Sequence, residues 1–72
     1  MSRTRMWVFE FDQYGMTEKK FSIDNPLYIP RIGEFVDSDK AGGWVNHVQY
    51  SYNLSEKAEF YLIVNVSLGK TK

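Results

Sequence analysis

No cysteine occurs in the chain, so neither a disulfide nor a thiolate metal site can supplement its core, and stability has to come from apolar burial or from association. Histidine is confined to His47 and proline to Pro26 and Pro30. No apolar run approaches the roughly 18 residues of a membrane span, and no basic-then-apolar leader opens the sequence. Those absences predict a soluble, cytoplasmic protein with no membrane partner. A net charge of zero, from nine basic and nine acidic side chains, disfavours both a strongly basic nucleic-acid binder and an acidic disordered tail. What the 72 residues do hold is aromatic content, at 17%. One small domain over residues 1–72 is expected, burying only roughly 60% of its unfolded surface.

Period-two alternation dominates the chain and amphipathic helical spacing is missing. Met6 to Asp12 predicts a strand with Trp7, Phe9 and Phe11 on one face. Gly15 supplies the turn, and Lys19 to Asp24 alternates again with Phe21 and Ile23 inward, completing a hairpin. Between Pro26 and Pro30, Tyr28 and Ile29 are expected to tuck against the core. Arg31 to Asp37 predicts a short strand with Ile32 and Val36 inward and Glu34 toward solvent. Asp37 to Gly43 is turn chemistry, and a longer strand follows over Trp44 to Tyr52. There the alternation slips once. A bulge near Asn46 and His47 would bring Val45, Val48, Tyr50 and Tyr52 to one face. After a loop over residues 53–58, Phe60 to Leu68 forms the last strand, with Leu62, Val64, Val66 and Leu68 on one side. Five closely spaced strands predict an all-β fold, a single five-stranded small barrel or curved antiparallel meander.

Charge is uneven along this meander. Arg3, Arg5, Lys70 and Lys72 lie at the ends, leaving residues 6–69 with five bases against nine acids. Pairing of the first and last strands would bring the two basic ends together, although fraying is the expected state of residues 1–5 and 69–72. Trp7, Phe9, Phe11, Phe21, Tyr50, Tyr52 and Phe60 are assigned to the core. Phe35, Trp44 and Tyr61 have no evident core duty.

Chemistry is sparse. His47 is the only side chain that titrates near neutrality when unperturbed, and it has no sequence-identifiable partner, so no catalytic or metal role is expected. Asp37 to Gly42 faintly copies a calcium loop but lacks the fifth-position oxygen and the terminal glutamate, and reads as a plain turn. Glu10 and Asp12 project together from the first strand and read as a solvated face. Gly42-Gly43 lacks the lysine and helix of a phosphate-cradling loop. A domain this small also leaves little room for a pocket of several hundred Å³. No enzymatic activity and no cofactor are expected.

The segment Tyr28-Ile29-Pro30-Arg31-Ile32-Gly33-Glu34-Phe35-Val36, followed by Gly42-Gly43-Trp44-Val45-Asn46-His47-Val48 and Ile63-Val64-Asn65-Val66-Ser67-Leu68, resembles a group of small, mostly uncharacterised bacterial and phage-associated proteins. The similarity covers residues 28–68. It implies a Src-homology-3-like small β-barrel and leaves the function open. The aromatic-rich first hairpin, Phe35 and Trp44 depart from that pattern.

The expected function is therefore that of a non-catalytic protein-interaction module, binding another protein or a second copy of itself. Phe35, Trp44, Tyr61 and Ile63 would carry the contact, with His47 at its edge, because aromatic side chains with few competing charges suit interface centres. The alternative is weak single-stranded nucleic-acid binding by the same aromatics with Arg31 and Lys40.

Overall fold

Alternating side chains in β1 (Thr4–Phe11) and β2 (Thr17–Asp24) form the expected hairpin, and Gly15 takes the positive φ of 82° that its turn requires. The computed structural model describes residues 3–11, 14–15 and 17–71. Asp12, read above as a partner of Glu10, lies outside them. Three further strands follow, β3 (Phe35–Asp37), β4 (Gly42–Tyr52) and β5 (Leu62–Gly69). All five join one curled sheet in the order β2-β1-β5-β4-β3, an all-β half-barrel. Among the described residues no helix is long and apolar enough to cross a membrane.

The sheet is mixed, because β1 and β5 pair in parallel while the other neighbours are antiparallel. Parity requires this: in a five-strand up-and-down chain the first and last strands run the same way. The same parity corrects the expectation that the basic ends meet. Thr4 pairs with Leu62 and Glu10 with Leu68, so Arg3 and Arg5 lie at one end of β5 and Lys70 at the other, about 23 Å apart at strand rise. Thr4, Arg5 and Gly69, expected among fraying ends, are ladder residues.

β4 carries the bulge read from its sequence, with the register shifting between Val45 and His47 around Asn46. The shift brings Val45, Val48, Tyr50 and Tyr52 opposite Leu68, Val66, Val64 and Leu62. Met6, Val8, Val45, Val64, Val66 and Leu68 are buried together on the concave face, with Phe21, Ile29, Val36, Val48 and Leu62 packed against them. Five of the seven rings assigned to the core change place. Trp7, Phe9 and Phe11 alternate with the core residues Met6 and Val8 and so belong to the convex face, where they are half-buried. Curling crowds the concave side and splays the convex one, so the slimmer aliphatic set of β1 goes inside and the larger rings outside. Tyr50 and Tyr52 face inward by register yet are 54% and 72% exposed, because no second layer covers their end of the sheet. Only Phe21 and Phe60 of the seven rings assigned to the core are covered as expected.

The residues read as a strand from Arg31 divide. Glu34 donates its N–H to the Arg31 carbonyl at 3.0 Å, closing a turn with Gly33 at φ 93°. Ile32 is therefore carried outward, 66% exposed, and pairing begins only at Phe35. Since β2 and β3 lie on opposite edges, the connection between them has to cross the concave side. Pro30 is buried and Ile29 half-buried beneath it, whereas Tyr28, expected inside, is exposed.

Gly42 and Gly43, read as turn residues, open β4. A Cβ on Gly43 would lie 2.7 Å from the Gly69 carbonyl oxygen and 3.2 Å from Leu68 Cβ, whereas one on Gly42 meets only contacts of 3.5 and 3.6 Å. Gly43→Ala is thus expected to lower stability by about 1–3 kcal/mol through overpacking, and Gly42→Ala to stay within about 0.5 kcal/mol. Urea denaturation followed by circular dichroism checks the pair, and equal losses would refute the close-approach argument.

Candidate functional site

A cleft of about 350 Å³ opens on the concave side where β2 and β3 fail to meet, lined chiefly by Met6, Phe21, Ile23, Pro30, Phe35 and Val36. A space of this size was not expected in so short a chain; it exists because the half-barrel leaves its seam open. β2 supplies Phe21 and Ile23, the core-facing residues of its alternation, and β3 supplies Phe35 and Val36. Glu34, Asp37, Ser38 and Tyr28 make the polar part of the wall.

Tyr28 and Glu34 are fixed to each other. The Tyr28 hydroxyl donates to both Glu34 carboxylate oxygens, at 2.6 Å to Oε1 and 2.8 Å to Oε2, and the Arg31 N–H donates to Oε1 at 2.6 Å. Glu34 is exposed, as its place in the sequence predicts, and its carboxylate also ties the crossing loop together. Those donors, the tyrosine first and the Arg31 amide second, hold the Glu34 carboxyl below its ordinary value, and the carboxylate holds the Tyr28 phenol above its own. A carboxyl with a lowered folded-state pKa contributes stability that is complete above its unfolded value, about 4.3, and is lost as pH falls through the lower folded value. Unfolding midpoints of the native protein should therefore drop on acidification below about pH 4.3. In Glu34→Gln that part of the decline should vanish; an acid profile unchanged by the substitution would show that the pair is not linked to folding.

The turn after β3 is built on Ser38. Its hydroxyl donates to the Ala41 carbonyl and accepts the N–H groups of Lys40 and Ala41, at 2.9, 3.1 and 2.9 Å. That is the plain turn read from the sequence. Among the described residues no three His, Asp or Glu side chains are grouped so that they could hold a metal ion.

The residues expected to bind a partner separate into two places. Phe35 and Trp44 pair across the β3–β4 ladder with their rings edge to face at 5.0 Å, and Phe35 reaches the cleft rim. Trp44 is half-buried. Tyr61 and Ile63 lie at the opposite end of β5, since Trp44 pairs with Gly69, about 20 Å or more away at strand rise. His47 borders neither group. It is exposed on the convex side, in a shallow hollow of about 260 Å³ shared with Phe9, Thr17, Gln49, Asn65 and Ser67. Arg31 sits in the turn beside Glu34 and Lys40 in the turn on Ser38, among the acids Glu34, Asp37 and Asp39.

Sequence reasoning missed Ile23 and Val36 as cleft residues, because period-two spacing tells which face a side chain takes but not whether another layer covers it, and missed Met6 because the opposite face of β1 was expected inside. It also missed the cations gathered on rings. The Arg5 guanidinium carbon lies 4.0 Å from the Phe60 ring centre and 5.5 Å from that of Trp7, and the Lys19 ammonium 4.5 Å from Trp7. No protein-family model matches the sequence, and comparison with curated proteins and with solved structures found no match either.

Proposed function

We propose that the protein is a non-catalytic protein-interaction module that receives an apolar side chain of its partner in the cleft between β2 and β3. The observation that carries this reading is the cleft itself, whose apolar floor of Met6, Phe21 and Val36 is flanked by the exposed side chains of Ile23 and Phe35. An apolar hollow with polar groups only along one wall is the usual form of a site that anchors a bulky side chain. Of the residues expected to bind, Phe35 belongs to this reading as part of the rim, with Trp44 packed edge to face against it from behind; Tyr61, Ile63 and His47 stand apart from it.

Selection from a random peptide library tests it. Peptides with a large apolar anchor should be enriched on the native protein and should lose binding at least about tenfold to Ile23→Glu and to Phe35→Glu. Both substitutions alter exposed side chains, so circular dichroism should be unchanged. Selected peptides that bind both variants as well as the native protein would overturn the proposal.

A further inference from the structure

The convex face carries a different chemistry from the cleft. By register, Arg5, Trp7 and Phe9 of β1 stand beside Lys19 of β2 on one side and Asn65 of β5 on the other, with Gln49 of β4 next to Asn65. Most acids of the body of the chain lie elsewhere, but Glu59, in the loop before β5, comes within 3.9 Å of Arg3 and attracts Arg5 as well. Glu10 and Glu18 pair across the ladder on the concave side, and Glu34, Asp37 and Asp39 lie beyond the β4 edge. Among the described convex-facing residues of β1, β2 and β5 and of the His47–Ser51 stretch of β4, the one carboxylate is Asp24, and Arg5 Nε donates to it at 2.8 Å. Zero net charge therefore hides one cation of this face, Lys19, that has no ion pair among the described residues.

We infer that this convex face binds a single strand of nucleic acid. Arg5 and Lys19 are held on the two aromatic rings of Trp7 and Phe60, which places both cations on the face to meet phosphates. Between Lys19 and the β4 strand lies the hollow lined by Phe9, Gln49 and Asn65, with hydroxyl and imidazole neighbours. Phe9 offers a ring for a base to stack on, and the two amides offer donors and acceptors to base edges. From Arg5 to Phe9 the strand rises about 13 Å, room for two or three nucleotides. A duplex keeps its base faces stacked inside and cannot use the ring. The charge pattern favours this ligand over a protein, because Lys19 has no ion pair among the described residues and stands beside an open aromatic hollow, while Arg5, shared with Asp24, adds a second, weaker attraction for phosphate.

Fluorescence anisotropy with short fluorescein-labelled single-stranded RNA and DNA of mixed sequence decides it. Binding should weaken about threefold between about 50 and 200 mM salt if Lys19 alone meets a phosphate, and about sevenfold if Arg5 meets a second one. Lys19→Gln should weaken binding and flatten that salt dependence, and Phe9→Leu should weaken it about fivefold or more. Lys40→Gln, in the turn beyond β3, and Phe35→Glu, in the cleft, should leave it unchanged, which separates this face from the peptide site. Should Phe9→Leu fail to fold, Gln49→Glu puts an opposing charge into the same hollow from an exposed position and should weaken binding likewise. No binding at low salt, equal affinity for duplex, or sensitivity to Lys40→Gln rather than Lys19→Gln would each overturn the inference.

Discussion

Leu68→Ala should cost about 2–5 kcal/mol of folding stability. Leu68 is fully buried, one of five side chains that combine large volume with no solvent contact, the others being Val8, Val45, Val64 and Val66. It sits where β5 lies between Val45 of β4 and Glu10 of β1, and its Cβ is close to the backbone of Gly43. Truncation leaves a cavity that the flanking ladder cannot collapse to fill, because hydrogen bonds on both sides hold β5 at fixed spacing. A domain this short has a stability near the low end of the usual range, about 5 kcal/mol, so the variant should be largely unfolded on modest heating or in low urea. Leu54→Ala, at a position 86% exposed in the loop before β5, should by contrast change the urea midpoint negligibly, within about 0.5 kcal/mol. If both variants unfolded at the native midpoint, the concave packing would not be the source of stability.

That core was legible in β5 and β4 and illegible in β1, for a definite reason. In β5 one alternating set is aliphatic and the other contains Asn65 and Ser67, so polarity alone selects the inner face. In β4 the spacing of Val45 and Val48 conflicts with the spacing of Val48 and Tyr50, and only an inserted residue reconciles them; the register shift around Asn46 is that residue. In β1 both alternating sets are apolar, Met6 and Val8 against Trp7, Phe9 and Phe11. Polarity then selects nothing, and the choice depends on sheet curvature, which belongs to the assembled half-barrel rather than to any one segment. Choosing the wrong face of β1 also hid the aromatic character of the convex side, since those three half-buried rings were counted as core.

The open seam has a similar origin. Alternation identifies strands, and parity explains why β1 and β5 pair in parallel once they are neighbours, but neither says that β2 and β3 stay apart. That depends on the crossing loop. Pro30 and Ile29 tuck beneath it, the Tyr28–Glu34–Arg31 hydrogen bonds stiffen it, and Gly33 turns it so that Gly33 N–H reaches the Val45 carbonyl at 2.9 Å. Phe35 then begins β3 beside β4 instead of beside β2. Both edges carry features that discourage further pairing: β3 has three residues, and β2 presents Lys19 and Lys20. A cleft bounded by edges of that kind suits side-chain insertion better than addition of a strand.

Phe60→Ala should be as damaging as any substitution in the chain, about 3–5 kcal/mol. The ring is buried although it precedes β5 and makes no ladder pairing of its own. Its position is set by the chain on either side. The Arg3 carbonyl accepts the N–H groups of Tyr61 and Leu62, at 3.0 and 3.1 Å, which ties the start of β1 to the start of β5. With that junction closed, Phe60 lies under two guanidinium groups, Arg5 at 4.0 Å and Arg3 at 4.8 Å from the ring centre. Alanine removes the buried ring and the support of both cations together. Phe60→Leu separates the two contributions, because leucine restores most of the apolar volume and none of the ring's attraction for charge. Leucine should recover most of the lost stability, while amide exchange at Tyr61 and Leu62 should be fast in the alanine variant and near native in the leucine one. The leucine variant also bears on the convex face. Arg5 would keep its bond to Asp24 but lose one of the two rings that hold it, so oligonucleotide binding should weaken in a protein whose fold is intact. A leucine variant as unstable as alanine would instead show that the guanidinium stack, and not burial, is what Phe60 contributes.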